Sequence, residues 1–464
     1  MMRNMTLENM AAACGGKLVM PEGSVRADSL SCAQGLVIDS RLVKPGYVFA
    51  ATKGERVDGH SFIGAAFEKG AMAVICEKLP EKAAGPCIKV KDSFEALKDL
   101  AAYYRDQFDI PFIGITGSVG KTSTKEFIAG VLSQHFKVHK TEGNFNNEVG
   151  VPLTLFGLTD EDQAAVVEMG INTFGEMHRL SRMVRPDIVV MTNIGECHLE
   201  FLGDRDGVLR AKSEIFDFMA SDGTVFVNGD DDKLATIKEV HGIRPVTFGF
   251  SPDRDIWAEQ VASQGLKGSS ALIHTPAGDI RASVPLPGTH MIGNAMAAAA
   301  VGLKLGLSLD EISRGIASVQ PVDGRSHLID TGTIMIVDDC YNANPASVRA
   351  AVDTLVSAGT RTAAILGDMF ELGSDEKALH RQVGEYAAGK GVDVLLFAGE
   401  LSRSAWEGAA EAGSSSQIIR WYETRDQLME ALPGYIRKGD TILVKASHGM
   451  EFGAVVEKLK EFTA

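Results

Sequence analysis

The sequence predicts an α/β protein of three domains, the last two Rossmann-like. Three observations carry this. At 464 residues the chain exceeds what one hydrophobic core accommodates, and the length suggests about three domains. Continuous apolar runs ending in Gly, Asn or Asp recur, the pattern of strands buried on both faces of a mainly parallel sheet. Helical sequence fills the gaps between them, as βαβ units require.

Up to about Phe108 the chain mixes short apolar runs with turn signals: "GLVIDSR", "PGYVFAATKG" and "GAMAVICEK". The stretch "SFEALKDLAAYYRDQF" has helical spacing and leads into the strand "PFIGITG", which sets a boundary near residue 106. In the middle part "DIVVMTNIG" and "TVFVNGDDD" read as buried strands. There "GNAMAAAAVGLKLG" reads as an alanine-rich helix stopped by glycine. From about Gly324 the strands "TIMIVDD", "TAAILGDM", "VDVLLFAG" and "DTILVKAS" form a second doubly wound unit. Its ligands belong at the carboxyl ends of those strands. The expected domains are 1–106, 107–321 and 322–464.

Apolar residues make up 45% and charged residues 23%, a globular composition. The formal net charge of -15 argues against a general nucleic-acid binder, which shows a basic face. No run approaches the roughly 20 apolar residues that span a bilayer. Glu8 and Asn9 stand where a signal peptide needs apolar sequence, so a cytoplasmic protein without membrane insertion is expected. The cysteines Cys14, Cys32, Cys76, Cys87, Cys197 and Cys340 form no CxxC pair or zinc-type cluster and read as reduced, structural thiols.

The chemistry begins at "TGSVGKTS", a strand-to-helix turn of Gly117, Ser118, Val119, Gly120, Lys121, Thr122 and Ser123. The glycines let backbone N–H groups turn inward on a phosphate, and the helix adds its positive end. Lys121 would reach the β- and γ-phosphates, and Thr122 would offer its hydroxyl to Mg²⁺. The strict phosphate-loop pattern has glycine at position 115, where this chain has Ile115. Downstream, Glu168 ends the buried run "AAVVEMG", an expensive place for a carboxylate unless a cation or partner meets it. His198 follows another strand in "VVMTNIGECHLEF". With Thr122 these two make a divalent metal and phosphate site, and oxygen-rich ligation favours Mg²⁺. Lys212, in "VLRAKSEIF", reads on its own as a solvated helix lysine or an ion pair with Glu214 or Asp217.

The stretches "TGSVGKTSTKE", "TEGNFNNEVGVPLTL", "EMG", "TNIGECHLEF", "AKSEIF" and "PGTHMIGNAMAAAA" occur in the order seen in Mur ligases, and the chain resembles that family over nearly its whole length. The segment "IDSRLVKPGYVFAATKGERVDGHSFI" resembles their UDP-binding domain. "VDDCYNANPASV" and "ILGDMFELG" resemble the members that join D-alanyl-D-alanine to a UDP-N-acetylmuramoyl-tripeptide. The resemblance implies an N-terminal UDP-binding domain, a central P-loop ATPase domain and a C-terminal Rossmann-like domain, and a monomer is the default expectation. It implies ATP and, in all, two Mg²⁺ ions as cofactors, with small-molecule substrates and no nucleic acid.

Residue by residue, Lys121 and Thr122 match the phosphate-loop lysine and hydroxyl. Asn144 and Asn147 match the stretch near the ATP phosphates and acyl group. Glu168 and His198 match metal ligands, and Lys212 matches a lysine carrying CO₂ as a carbamate. His290 and Asn294 match the segment that meets adenine, although Met291 replaces a common asparagine. Arg325 and Asp339 match residues that close onto ATP, and Asn342 and Asn344 lie in the same signature, divided between ATP and dipeptide in no stated way. Ser40 and Arg41 match the segment that meets uridine diphosphate, with Asp58, Gly59 and His60 nearby. In "VKASHGMEF", Ala446 and His448 replace the glycine and arginine of the usual KGSR motif. Other carboxylate–amine ligases, such as folylpolyglutamate synthase-like enzymes or the Mur ligase that adds the third residue, fit less well, because they lack either the UDP-type segment or "YNANP". A mechanical NTPase would need no second α/β domain bearing substrate motifs.

Overall fold

The computed structural model describes residues 1–21, 31–54, 57–82 and 84–462. Glu55 and Arg56, inside the UDP-type segment, lie outside the described residues. Among the described residues the strands form three sheets, each built from one continuous stretch of the chain.

The first sheet has five strands, in the order Lys17–Val19, Cys87–Lys89, Ala73–Cys76, Tyr47–Ala50 and Gly35–Val37. All neighbours pair parallel except the first two. The helix Ser93–Arg105 starts where Asp92 accepts the backbone N–H groups of Phe94 and Glu95, a side-chain cap on two otherwise unpaired donors. Its buried face (Leu97, Leu100, Tyr104) joins one apolar core with central-domain residues such as Leu155, Leu180 and Met183. Tyr104 Oη donates to the Leu158 carbonyl at 2.8 Å. The Arg105 guanidinium donates to the carbonyls of Val184 and Arg185. The first unit is therefore seated on the second by a shared core and by satisfied polar contacts.

The central sheet has nine strands: Gly278–Val284, Ser269–Thr275, Ile256–Ser263, Val246–Gly249, Thr224–Asn228, Ile188–Met191, Phe112–Thr116, Ala164–Glu168 and Val138–Lys140. From Ile256–Ser263 onward all pair parallel, and the buried apolar runs are those the sequence displays. The two appended antiparallel strands carry the alternating burial of a sheet covered on one face. The alanine-rich helix spans Met291–Lys304 and is buried on nearly every side, which its small side chains permit.

The third sheet orders His327–Asp330, Met335–Asp338, Thr441–Lys445, Thr362–Gly367, Val394–Ala398 and Ile418–Tyr422, parallel except for the first pair. Central and C-terminal units meet at several points, two of them through apolar side chains. Leu266, at the tip of the antiparallel extension, packs into the C-terminal core. Leu199 packs against both the C-terminal core and the core shared by the first two units. The six cysteines are free thiols. No helix among the described residues is long and apolar enough to cross a membrane.

Candidate active site

A cavity of about 650 Å³ opens between the central and C-terminal sheets. Its floor is the turn after the Phe112–Thr116 strand. Gly117 has φ +151°, and a Cβ there would sit 1.9 Å from Thr192 Oγ1, so only glycine fits. Gly120 begins the helix Lys121–Leu132 in the left-handed region. The turn is pinned by the next strand's end. Ser118 N–H donates to the Asn193 carbonyl, Val119 N–H to Asn193 Oδ1, and Thr192 Oγ1 to the Val119 carbonyl. Lys121 Nζ donates to the Gly117 carbonyl at 2.8 Å. The surrounding walls push its pKa down, and the nearby Glu168 carboxylate opposes that shift.

Glu168 is fully buried at the end of its strand. Asn146 Nδ2 donates to Oε1 at 2.7 Å, and Oε2 has no partner. A buried carboxylate oxygen with no protein partner, beside a phosphate-type turn, has the chemistry of a cation ligand. Among the described residues no three His, Cys, Asp or Glu side chains converge as a complete metal cage. Mg²⁺ takes one or two carboxylates and fills its other positions with phosphate oxygens and water. The donor set present (Glu168, the Thr122 hydroxyl and the His198 imidazole) fits such an ion.

His198 sits in the left-handed region at the start of a short helix. Its Nδ1 meets Glu371 Oε2, from the C-terminal unit, at 2.5 Å. Lys212 corrects the reading of a solvated or ion-paired lysine. It is 1% exposed on the helix Arg205–Ser213, and no hydrogen bond reaches its Nζ among the described residues. Burial lowers its pKa to about 8. It lies behind the cavity wall, close enough to Lys121 for the two charges to oppose each other.

The sequence candidates Ser118, Val119, Gly120, Lys121, Thr122, Ser123, Asn144, Asn147, Glu168, His198, His290, Asn294, Arg325, Asp339, Asn342 and Asn344 line this one cavity. Asn294 Oδ1 accepts from Thr124 Oγ1 at 3.0 Å, tying the alanine-rich helix to the phosphate-loop helix. Two asparagines serve the backbone as well. Asn147 Oδ1 accepts from Val149 and Gly150, and Asn344 caps the helix Pro345–Val356. On the C-terminal side the Arg325 guanidinium lies 3.7 Å over the Tyr341 ring. The buried Lys445 Nζ donates to Asp339 Oδ2 at 2.5 Å and to the Asn342 carbonyl at 3.0 Å. Residue 448, where the usual motif has arginine, places its imidazole 5.7 Å from the Tyr341 ring.

Ser40, Arg41, Asp58, Gly59 and His60 stand apart from the cavity, in the first unit. They form two short turns past the carboxyl ends of neighbouring parallel strands. Asp39 caps the first turn and pairs with the exposed Arg41 guanidinium at 2.6 Å, which holds the Asp39 carboxyl at about 2. Asp58 accepts from the His60 backbone and ring Nδ1, while His60 Nε2 accepts the Glu77 N–H. Both His60 ring nitrogens are thus engaged by the protein. Asn146, Tyr341, Glu371 and Lys445 are cavity residues that sequence reasoning missed. All four lay inside quoted motifs, and the run "GNFNNE" was the available signal for the first.

Family models match three stretches: Mur ligase family, catalytic domain, at 33–105; Mur ligase middle domain at 115–302; and Mur ligase, glutamate ligase domain, at 324–448. The chain is 35% identical over 98% of both chains to the UDP-N-acetylmuramoyl-tripeptide–D-alanyl-D-alanine ligase of Bacillus subtilis. It is 37% identical to the Escherichia coli protein of that name, over 91% of this chain and 93% of that one. A crystal structure of MurF from Acinetobacter baumannii superposes with a TM-score of 0.88 at 30% identity, covering 99% and 100% of the two chains. MurF from Thermotoga maritima in complex with ADP superposes at 0.81, with 28% identity and coverage of 92% and 97%. With matches in every unit and relatives aligned end to end, the chain belongs to the Mur ligase family.

Proposed function

We propose that this chain joins D-alanyl-D-alanine to UDP-N-acetylmuramoyl-tripeptide, consuming ATP and releasing ADP and phosphate. The observation that carries the reading is one cavity in which a phosphate-type turn, a buried carboxylate with a free oxygen and a C-terminal wall bearing Arg325 converge. The relatives aligned over nearly the whole chain bear the name of this reaction. The domains are taken as 1–106 for the UDP-sugar-peptide, 107–321 for ATP and 322–464 for the dipeptide and closure over ATP, in a monomer acting in the cytoplasm.

A carboxylate does not yield an amide with an amine in water without a better leaving group. One tripeptide carboxylate oxygen attacks the γ-phosphorus, the bond to ADP breaks, and an acyl phosphate forms. The dipeptide amine then adds to the acyl carbon, loses a proton, and expels phosphate that keeps the carboxylate oxygen. Catalysis of this kind is positioning and charge neutralisation. The backbone N–H groups at the start of the helix Lys121–Leu132 and the Lys121 ammonium hold the phosphates. Asn144 and Asn147 border the acyl end, and Asn294 and His290 the nucleoside end. Arg325 and Asp339 close from the C-terminal side, with Asn342 and Asn344 beside them. Ser40, Arg41, Asp58, Gly59 and His60 hold the uridine diphosphate away from the reacting atoms.

Thr122, Glu168, His198 and a carbamate on Lys212 would hold Mg²⁺, which when bound offsets the repulsion between carboxylate and triphosphate. A Lys212 of lowered pKa offers the neutral amine that adds CO₂. Closure of the C-terminal domain over the cavity would exclude water from the acyl phosphate. The test is turnover with a tripeptide carboxylate labelled with ¹⁸O. Label in the released phosphate and a pentapeptide product by mass are expected; unlabelled phosphate would contradict the acyl-phosphate route.

A further inference from the structure

We infer that Glu371 is a positioning residue that the C-terminal domain lends to the central domain, setting the imidazole of His198 so that Nε2 is the lone-pair nitrogen. The inference rests on the reading of His198 as a cation ligand and adds to it the residue that makes the ligand competent.

The contact is built from both sides. His198 has φ +53° and Glu371 φ +63°, a backbone region that side-chain-bearing residues seldom occupy. Two such residues meeting head to head across a domain boundary is a placement that the surrounding structure must enforce. The backbone reinforces it: Glu200 N–H donates to the Glu371 carbonyl at 3.3 Å. A Cβ on Gly373 would sit 3.3 Å from the Glu200 nitrogen, so the two backbones run in close approach. Leu199, next to His198, packs into the C-terminal core as well as the central one. The His198 side chain is 21% exposed and that of Glu371 39%, so the pair sits at the cavity edge without being lost to bulk water.

The chemistry follows from the two nitrogens of imidazole. In the neutral ring one carries the proton and the other the lone pair. A carboxylate 2.5 Å from Nδ1 selects the Nδ1–H tautomer. Nε2, which makes no hydrogen bond among the described residues, is then the nitrogen able to hold a cation. A carboxylate on the far nitrogen also fixes ring orientation and raises ligand basicity. Because Glu371 follows the C-terminal strand Thr362–Gly367, His198 is set correctly only when that domain is seated. A cation ligand on one domain is thereby made conditional on the position of another.

The test uses the full chain labelled with ¹⁵N-histidine, with His198 signals assigned by their loss in His198→Gln. Long-range proton–nitrogen correlations in mildly alkaline buffer report the tautomer directly. The expected result is Nδ1–H in the native protein and a shift toward Nε2–H in Glu371→Ala. Glu371→Asn, which the left-handed backbone accommodates, serves where alanine fails to fold. Mn²⁺ binding, followed by electron paramagnetic resonance with a non-hydrolysable ATP analogue, should weaken about tenfold or more in the same variants. Nε2–H in the native protein, an unchanged tautomer in the variants, or unchanged Mn²⁺ affinity would each overturn the inference. Failure of the ligase reading would show separately, as absent turnover in the native protein with the tautomer result standing.

Discussion

Lys121 Nζ donates to the carbonyl of Gly117, four residues back, at 2.8 Å, so the phosphate turn closes on its own lysine. That bond holds the ammonium at the floor of the cavity, where the Glu168 carboxylate favours its charge. Replacing Lys121 with alanine leaves the fold's core untouched and removes the cation that meets the phosphates. Lys121→Ala should lower kcat about a hundredfold or more, measured as ADP release, with little change in thermal midpoint.

Gly117 tests the turn itself. Gly117→Ala forces a Cβ against Thr192 Oγ1 and onto a backbone that L-residues avoid. The variant should lose about 1–3 kcal/mol of stability and bind ADP weakly, read by denaturant unfolding and calorimetry. Native-like ADP binding would show that the turn relaxes without consequence.

Glu168 joins stability to cation binding. Its unpartnered Oε2 makes the buried carboxylate a cost to the fold, which on the proposed reading a bound cation relieves. The native protein should gain thermal midpoint on addition of Mg²⁺ and nucleotide. In Glu168→Gln that Mg²⁺-dependent gain should vanish, while the nucleotide-only midpoint stays close to native.

The turn and its lysine were legible because strand, glycines, lysine and helix are contiguous in sequence. Glu168 was legible for a related reason: a carboxylate at the end of an apolar run demands a partner. Asn146, Glu371 and Lys445 were not, because each acts through a neighbour at least 22 residues away in sequence. Lys212 misled on spacing alone, since a lysine on a polar helix is usually solvated and only the packed helix shows it buried. The parallel strands announced themselves as apolar runs, whereas the antiparallel extension, half-exposed and polar, did not.

Lys212 gives a pH signature. Its folded pKa of about 8 lies below the ordinary lysine value of 10.5. The unfolded chain therefore binds more protons between these values, and the buried charge is a penalty present below about pH 8. Stability from this group rises as pH climbs from about 8 toward 10.5. Lys212→Met should abolish that alkaline gain. With ¹³C-bicarbonate the native protein should show a carbamate resonance that grows as pH rises through about 8 and is absent from the Met variant.

Arg325 is oriented by the ring beneath it. Tyr341→Ala should raise KM for ATP several-fold, the scale of about 1 kcal/mol for a cation over an aromatic face, and leave kcat closer to native. Tyr341→Phe keeps the face and should behave like the native enzyme.

The most direct test of the central claim is ADP release with ATP, Mg²⁺, UDP-N-acetylmuramoyl-tripeptide and D-alanyl-D-alanine, omitting each in turn. The account predicts sustained release only when all four are present, matched one for one by the joined pentapeptide. Release that continues at the same rate without the tripeptide or the dipeptide would contradict it and leave an NTPase whose phosphate activates no carboxylate.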